Sequence, residues 1–205
     1  MGEQSDVDER KRATLKRFAA VGAASPFARF ADVDSADAGE SEVRDAITGY
    51  LTATPGAHFS KLRDDLKLGT GETQHHLRRL ADDGSVEVYR DGDYKRLYPA
   101  GRFSDFEKRA LGYLRRETPR GMLVELLRTP EAAGSHLADA LDVSRPTVSK
   151  YAGELDDAGL LSREDGYRVE RPETVLMLVV RYADSFDESA AGLAAEADSL
   201  VRFDG

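Results

Sequence analysis

Leucine, alanine and valine recur through residues 41–171 at steps of three and four, interrupted at short intervals by glycine, proline and aspartate. The chain therefore reads as a series of short amphipathic helices. The pattern is plainest over residues 136–161. A short helix over 134–141 and a tight turn at Asp142-Val143 lead into a second helix over 145–157. Ser144 suits the N-cap of that helix, because its hydroxyl can accept from a first-turn amide, and Pro146 falls where no amide donor is needed. Val148, Ala152 and Leu155 fall at i, i+4 and i+7 and make an inward stripe, which leaves Arg145, Thr147, Ser149 and Lys150 on the opposite face. Gly159 then ends the helix. Leu160 to Arg163, a Glu164-Asp165-Gly166 turn and Tyr167-Arg168-Val169 read as a hairpin.

The same pattern occurs earlier. Setting residue n beside n+75 from Ile47 to Gly84, without gaps, gives eleven identities, Ser60 with Ser135 among them. Leu51, Leu62, Leu66 and Leu80 match Leu126, Leu137, Leu141 and Leu155, and Thr54, Pro55, Ala57, Asp64, Asp82 and Gly84 also match. The matched leucines occupy inward positions. Two copies make tandem domains, not a solenoid. The first copy is expected to hold helices over 42–53 and 59–66, a turn at 67–69 and a helix over 71–82. Its hairpin, SVEVYRDGDYKRLYP, alternates Val86 and Val88 with Glu87 and Tyr89 and turns at Asp91-Gly92.

Between the copies, residues 103–117 read as an amphipathic connecting helix, with Phe106, Ala110, Leu111 and Leu114 along one side, expected to pack both domains against each other. After the second hairpin, residues 172–205 read as one long helix. Its apolar positions, Val175, Val179, Tyr182, Phe186, Ala190, Leu193, Ala197 and Leu200, form a heptad-like seam with one stutter. That seam predicts a homodimer through residues 175–200, against the alternative of a helix folded back on its own domain. Residues 1–40 read as a flexible N-terminal segment that includes a surface helix. Lys11-Arg12 ahead of a small apolar stretch resembles a twin-arginine export signal, but Pro26 and Arg29 interrupt that stretch and it is too short to span a bilayer.

Helix, turn, helix and hairpin in this order, with the SRPTVSKY run followed by L-x-x-A-G-L-L, resemble the winged helix of MarR-type and ArsR-type transcription regulators. The whole of 41–171 is similar to tandem winged-helix regulators of haloarchaea. The resemblance implies a mainly α fold with small β-hairpin wings: a first winged helix at 41–102, a second at 118–171 and the C-terminal helix. It also implies a sequence-specific regulator that binds double-stranded DNA in the cytoplasm, associated with the nucleoid. The alternative is a tandem winged-helix factor that binds proteins in chromosome organisation or the transcription machinery.

Charge changes this picture in one respect. A net charge of -9 is unusual for a DNA binder, but the acid is unevenly placed. Residues 41–102 hold ten basic and ten acidic side chains, and 103–171 hold eleven and thirteen, whereas 172–205 hold two and seven. Arginine outnumbers lysine 22 to 7. Such a composition suits a salt-loving archaeon, where an acidic surface keeps proteins soluble. The absence of cysteine excludes disulfides, thiolate nucleophiles and cysteine-ligated metal centres.

The candidate DNA-reading residues follow from helix faces and hairpins. On the second recognition helix they are Arg145, Thr147, Ser149 and Lys150; on the first, Thr70, Glu72, Gln74, His75, Arg78 and Arg79. Arg and Lys suit guanine and Gln suits adenine, while residues late in the helix suit phosphates. Arg90, Lys95 and Arg96 on the first wing, and Arg163, Arg168 and Arg171 on the second, suit the minor groove or backbone. Adjacent His75 and His76 point to different sides of a helix, so they do not chelate one metal. No nucleophile elbow, phosphate loop or spaced carboxylate–histidine set is present. The expectation is a protein without catalysis, metal or cofactor, and with an unidentified protein or small molecule as effector.

Overall fold

With one exception, the leucines shared by the two copies close a core in each. In the computed structural model, which describes residues 2–23, 38–91 and 94–200, the chain divides between residues 103 and 104 into two units.

The first unit begins with α1 (Gly2–Ala23) and α2 (Ala38–Ala53), followed by strand β1 (Ala57–His58), α3 (Phe59–Leu66) and α4 (Thr70–Asp82). Strands β2 (Val86–Asp91) and β3 (Tyr94–Pro99) complete it. The sheet is antiparallel in the order β1-β3-β2, with Leu97 opposite both Ala57 and Val88. Ile47, Tyr50, Leu51, Leu62, Leu66, Leu80, Val86 and Leu97 are buried together. This is a winged helix: three helices and a hairpin around one apolar centre. His58 starts α3, its Nδ1 accepting the Lys61 amide at 3.1 Å. Lys67 ends α3 in the left-handed region, φ 55°, which turns the chain sharply enough for Gly69 to open α4.

Over residues 2–23 the expected flexible segment is a helix laid along α2. Leu15 is 5% exposed, and the Phe18 ring meets Tyr50 edge-on with centroids 5.3 Å apart. The apolar stretch beyond Ala23, the Gly92 of the first wing's turn and residues 201–205 lie outside the described residues. Among the described residues no helix is long and apolar enough to cross a membrane.

The second unit comprises α5 (Asp105–Leu114), α6 (Glu117–Arg128), α7 (Gly134–Ala140), α8 (Arg145–Asp157), β4 (Leu161–Ser162), β5 (Arg168–Val169), α9 (Pro172–Arg181) and α10 (Glu188–Leu200). From α6 to β5 it repeats the order of α2 to β3, though β4 and β5 form a sheet of two strands, with no third among the described residues. The helix turns correspond residue for residue: Asp142, 75 positions after Lys67, also has a positive φ, 50°. The one exception among the leucines is Leu141, which is only half-buried. Its Cδ2 lies 2.6 Å from where a Cβ on Gly121 would stand, so this glycine lets the side chain lie flat on α6. Helix α5 belongs to this unit. Phe106, Ala110, Leu111 and Leu114 are buried, and α5 packs on α6 and α9.

The single C-terminal helix expected from Pro172 is not found. The chain breaks between α9 and α10 through a 3-10 turn at Ala183–Ser185, at the stutter Tyr182–Phe186–Ala190 of the seam. Two consecutive steps of four carry the apolar stripe out of line, and the chain bends to keep it buried. Arginines fix the bend. Arg115 donates to the Ser185 carbonyl at 2.7 Å and lies over the Phe186 ring at 4.3 Å, and Arg120 pairs with Asp187. Helix α10 then folds back on α9 and α6. Val175, Val179, Tyr182, Ala190 and Leu193 are buried within the unit, so the seam's inward positions are spent in its own core. Leu200's side chain lies outside the described ones.

Leu155 and Leu193 are both fully buried, one on α8 and one on the folded-back α10. Changing either to Ala should cost about 2–5 kcal/mol, while Lys150→Ala should be nearly neutral to folding. Urea unfolding checks this; an unchanged midpoint for Leu155→Ala or Leu193→Ala contradicts the packing described.

Candidate nucleic-acid interface

A helix that buries one stripe must present the other. On α8, burial of Val148, Ala152 and Leu155 turns Arg145, Ser149 and Lys150 outward, and all three are exposed. Thr147 behaves differently. It is half-buried, and its hydroxyl lies 2.8 Å from the Ser144 Oγ, which itself accepts the Thr147 amide at 3.2 Å. Thr147 therefore belongs to the cap of α8 before it belongs to any interface. Lys150 spreads over the Tyr151 ring, 5.2 Å from its centroid, with Glu154 at 3.8 Å.

The back of α8 is clamped. Arg116 pairs with Glu154 at 2.7 Å and lies over the rings of Tyr113 and Tyr151. Tyr113 Oη donates to the Glu154 carbonyl, and Arg109 Nε donates to that of Ala158 at 2.9 Å, supporting the C-terminal end of the helix. On the second wing, Arg163 is exposed, its Nη1 3.5 Å from the position of a Cβ on Gly153. Arg168 is exposed but paired with Glu131 at 2.7 Å. Arg171 turns away from the wing, its guanidinium over the Phe106 ring at 4.7 Å.

On α4 the inward positions are Thr73, His76 and Leu80. Thr73 satisfies its hydroxyl on the Gly69 carbonyl at 2.8 Å. The outward face carries Thr70, Gln74, His75, Arg78 and Arg79. Thr70 accepts from Arg63 at 3.4 Å, and Arg79 pairs with Glu40 of α2 at 2.9 Å. Glu72, a candidate from its place on the helix, is occupied internally. Its Oε2 accepts the Gly69 amide at 3.1 Å and meets Lys11 Nζ of α1 at 3.0 Å. Partial burial pushes its pKa upward, but the Gly69 amide and Lys11 outweigh that and hold the carboxyl below its ordinary value.

On the first wing, Arg90 and Lys95 are exposed and stand opposite one another. Arg96 does not join them. It is 2% exposed, donates to the Gly56 carbonyl at 3.3 Å and covers the Tyr94 ring. Successive side chains on a strand face opposite ways, so Lys95 outward sends Arg96 inward. The expectation of Arg96 as a surface contact is corrected accordingly.

Between α4 and the wing lies a hollow of about 670 Å³. Leu77, Ala81, Val88 and Leu97 give it an apolar floor, and His75, Arg78 and Lys95 border it. None of the floor residues is a candidate in the sequence reading. The available signal is Val88, an apolar residue on the strand face shared with buried Val86 yet 52% exposed, because the sheet runs past the edge of the core there.

Residues 41–111, about a third of the chain, match the family model described as an N-terminal HTH domain. No curated protein and no solved structure matches the chain significantly. The family match covers all of α2 to β3 except the first turn of α2, and ends within α5. The first unit therefore carries a helix-turn-helix of the DNA-binding kind, made by α3, the turn at 67–69 and α4.

Two histidines of this unit favour the neutral form. Burial lowers the pKa of His76, and neighbouring His75 adds to the shift. Burial, Arg96 and Lys61 lower that of His58, whose neutral Nδ1 is the acceptor that caps α3. A base whose pKa falls on folding binds fewer protons folded than unfolded. Its contribution is complete above the unfolded value near 6.5 and is lost as pH falls below it. The urea midpoint should thus fall between about pH 7.5 and about pH 5, and the double variant His58→Asn, His76→Gln should flatten that decline. A midpoint that rises on acidification contradicts this.

Proposed function

We propose that the protein is a sequence-specific transcriptional regulator that binds duplex DNA through two winged helices in tandem, and that it catalyses no reaction. The observation that carries this reading is the outward face of α8. Arg145, Ser149 and Lys150 stand exposed there, beside exposed Arg163, on a helix whose back is pinned by Arg116 and Tyr113. A recognition helix in the major groove needs donors on a rigid frame. The correspondence of α6 to β5 with α2 to β3 supports the tandem reading, and the SRPTVSKY run supports kinship with MarR-type and ArsR-type domains. On this reading the protein works in the cytoplasm, in a haloarchaeal setting that suits its acidic, arginine-rich composition. Pairing of two copies through residues 175–200 would have to use the outer face of α9, where Met177 and Val180 are exposed.

A protein-interaction role in chromosome organisation or the transcription machinery is the second reading. The apolar hollow beside α4 favours it, because phosphates gain nothing from Val88 and Leu77. Genome-wide binding in the native host separates the two: sharp promoter peaks support a regulator, and a broad or absent signal supports the other.

The direct test is a titration of variants on cognate and scrambled duplexes across a salt series. Arg145 lies at the start of α8, where side chains reach base edges, and Lys150 lies a turn later. Arg145→Ala should cost about 1–3 kcal/mol on the cognate site and flatten preference at one base pair. Lys150→Ala should weaken all sequences alike and reduce the salt slope by about one. Wild-type binding by both variants would remove α8 as a reader.

A further inference from the structure

The two copies fill the groove between recognition helix and wing in opposite ways. At an offset of 75, Arg78, Ala81 and Val88 of the first unit correspond to Gly153, Asp156 and Arg163 of the second. In the second unit the cation is on the strand and the glycine on the helix. Arg163 reaches across to Gly153, so a guanidinium occupies the groove, with Asp156 exposed on the same helix. In the first unit the cation is on the helix and the apolar side chain on the strand, and a hollow of about 670 Å³ stays open. Its size lies within the range of small-molecule sites, which combine an apolar lining with a few placed polar groups.

Beside neutral Gln74 and His75, the charged groups here have one sign. Arg78 and Lys95 border the hollow from the helix and the strand, are exposed, and pair with no carboxylate among the described residues. Nearby cations are otherwise engaged: Arg79 is on Glu40, Arg63 on Asp64, Lys61 on Asp65. The floor of Leu77, Ala81, Val88 and Leu97 offers no hydrogen bond from a side chain. A bare phosphate suits the border but leaves the floor wet, and a neutral hydrocarbon covers the floor but leaves two cations unanswered.

We propose that this hollow binds an amphipathic organic anion, a carboxylate or sulfonate on an apolar body, and that its occupancy excludes duplex DNA from α4. The acid group lies between Arg78 and Lys95, with the apolar body over Val88 and Ala81. The exclusion rests on the reading of α4 as a DNA-contacting helix; the binding does not. Such a ligand would make the first unit the sensor and leave the second, whose groove Arg163 already fills, as a constitutive reader.

The probe is 8-anilinonaphthalene-1-sulfonate, an aromatic sulfonate whose emission rises when it leaves water, titrated into the full folded chain without DNA. One saturable site per chain is expected, displaced by dodecanoate and not by inorganic phosphate. Val88→Arg and Ala81→Asp each install the second unit's residue at an exposed position, and each should weaken binding at least tenfold. The double variant Arg78→Ala, Lys95→Ala should weaken it severalfold. Met177→Arg, which removes an exposed apolar side chain in the other unit, should change nothing. Unchanged binding in both groove variants, equal loss in Met177→Arg, or displacement by inorganic phosphate overturns the site. With the site occupied, affinity for the cognate duplex should drop in the wild type and hold in Val88→Arg. Probe binding with undiminished duplex affinity overturns the exclusion. A chain that binds the probe but no duplex sinks the DNA reading and leaves the site standing.

Discussion

Everything outward on α4 and α8 is decided by what each helix must bury. Three positions on α8, Val148, Ala152 and Leu155, close the second core, and the 3.6-residue period then leaves Arg145, Ser149 and Lys150 no direction but solvent. On α4 the corresponding stripe is Thr73, His76 and Leu80, two polar residues and one leucine. Thr73 meets its need on the backbone of its own helix. His76 is buried with no partner for Nδ1 among the described residues. The turn that precedes each helix follows the same constraint. Lys67 and Asp142 take a left-handed conformation without being glycine, a strained choice that the packing on both sides enforces.

The second unit adds a device not found among the described residues of the first. Arg116 from the α5–α6 junction and Arg109 from α5 grip the far side of α8 through the Glu154 carboxylate and the Ala158 carbonyl, and other arginines hold the bend before α10. Planar guanidinium groups suit this work because one head can donate, pair and stack together. The excess of arginine over lysine is thus partly structural. In the first unit the clasp is apolar, with Leu15 and Phe18 of α1 resting on the core. Lys11 extends that contact to Glu72 at the start of α4.

Much of this was legible in the chain itself. The stripe Val148–Ala152–Leu155, the Ser144 cap and the turn at Asp142 are local, and local periodicity with cap chemistry is enough to place α7 and α8. The offset of 75 residues carried that reading to α3 and α4, where Gly69 and Gly71 blur the helix start. What was not legible depends on long-range partners. Nothing near Arg96 in sequence says that Gly56 and Tyr94 will enclose it, although strand alternation with Lys95 carries a hint. The bend at residues 182–187 depends on Arg115 and Arg120, some 70 residues earlier, so an unbroken seam was the natural local reading. The hollow beside α4 was invisible because it consists of space between residues from α4 and both long strands.

The carboxylates that hold Arg79 and Arg168 have a further thermodynamic consequence. In the proposed DNA-binding role, each arginine would reach the duplex already carrying its own counter-ion, Glu40 or Glu131. When a phosphate takes the guanidinium, the abandoned carboxylate must attract a cation from solution, which offsets the cation that the DNA gives up. For those contacts the net exchange of ions with the medium is close to nil, and dilute or concentrated electrolyte then matters little to the balance. Under that proposed role, a surface built this way would trade strong attraction in dilute buffer for an affinity that survives brine.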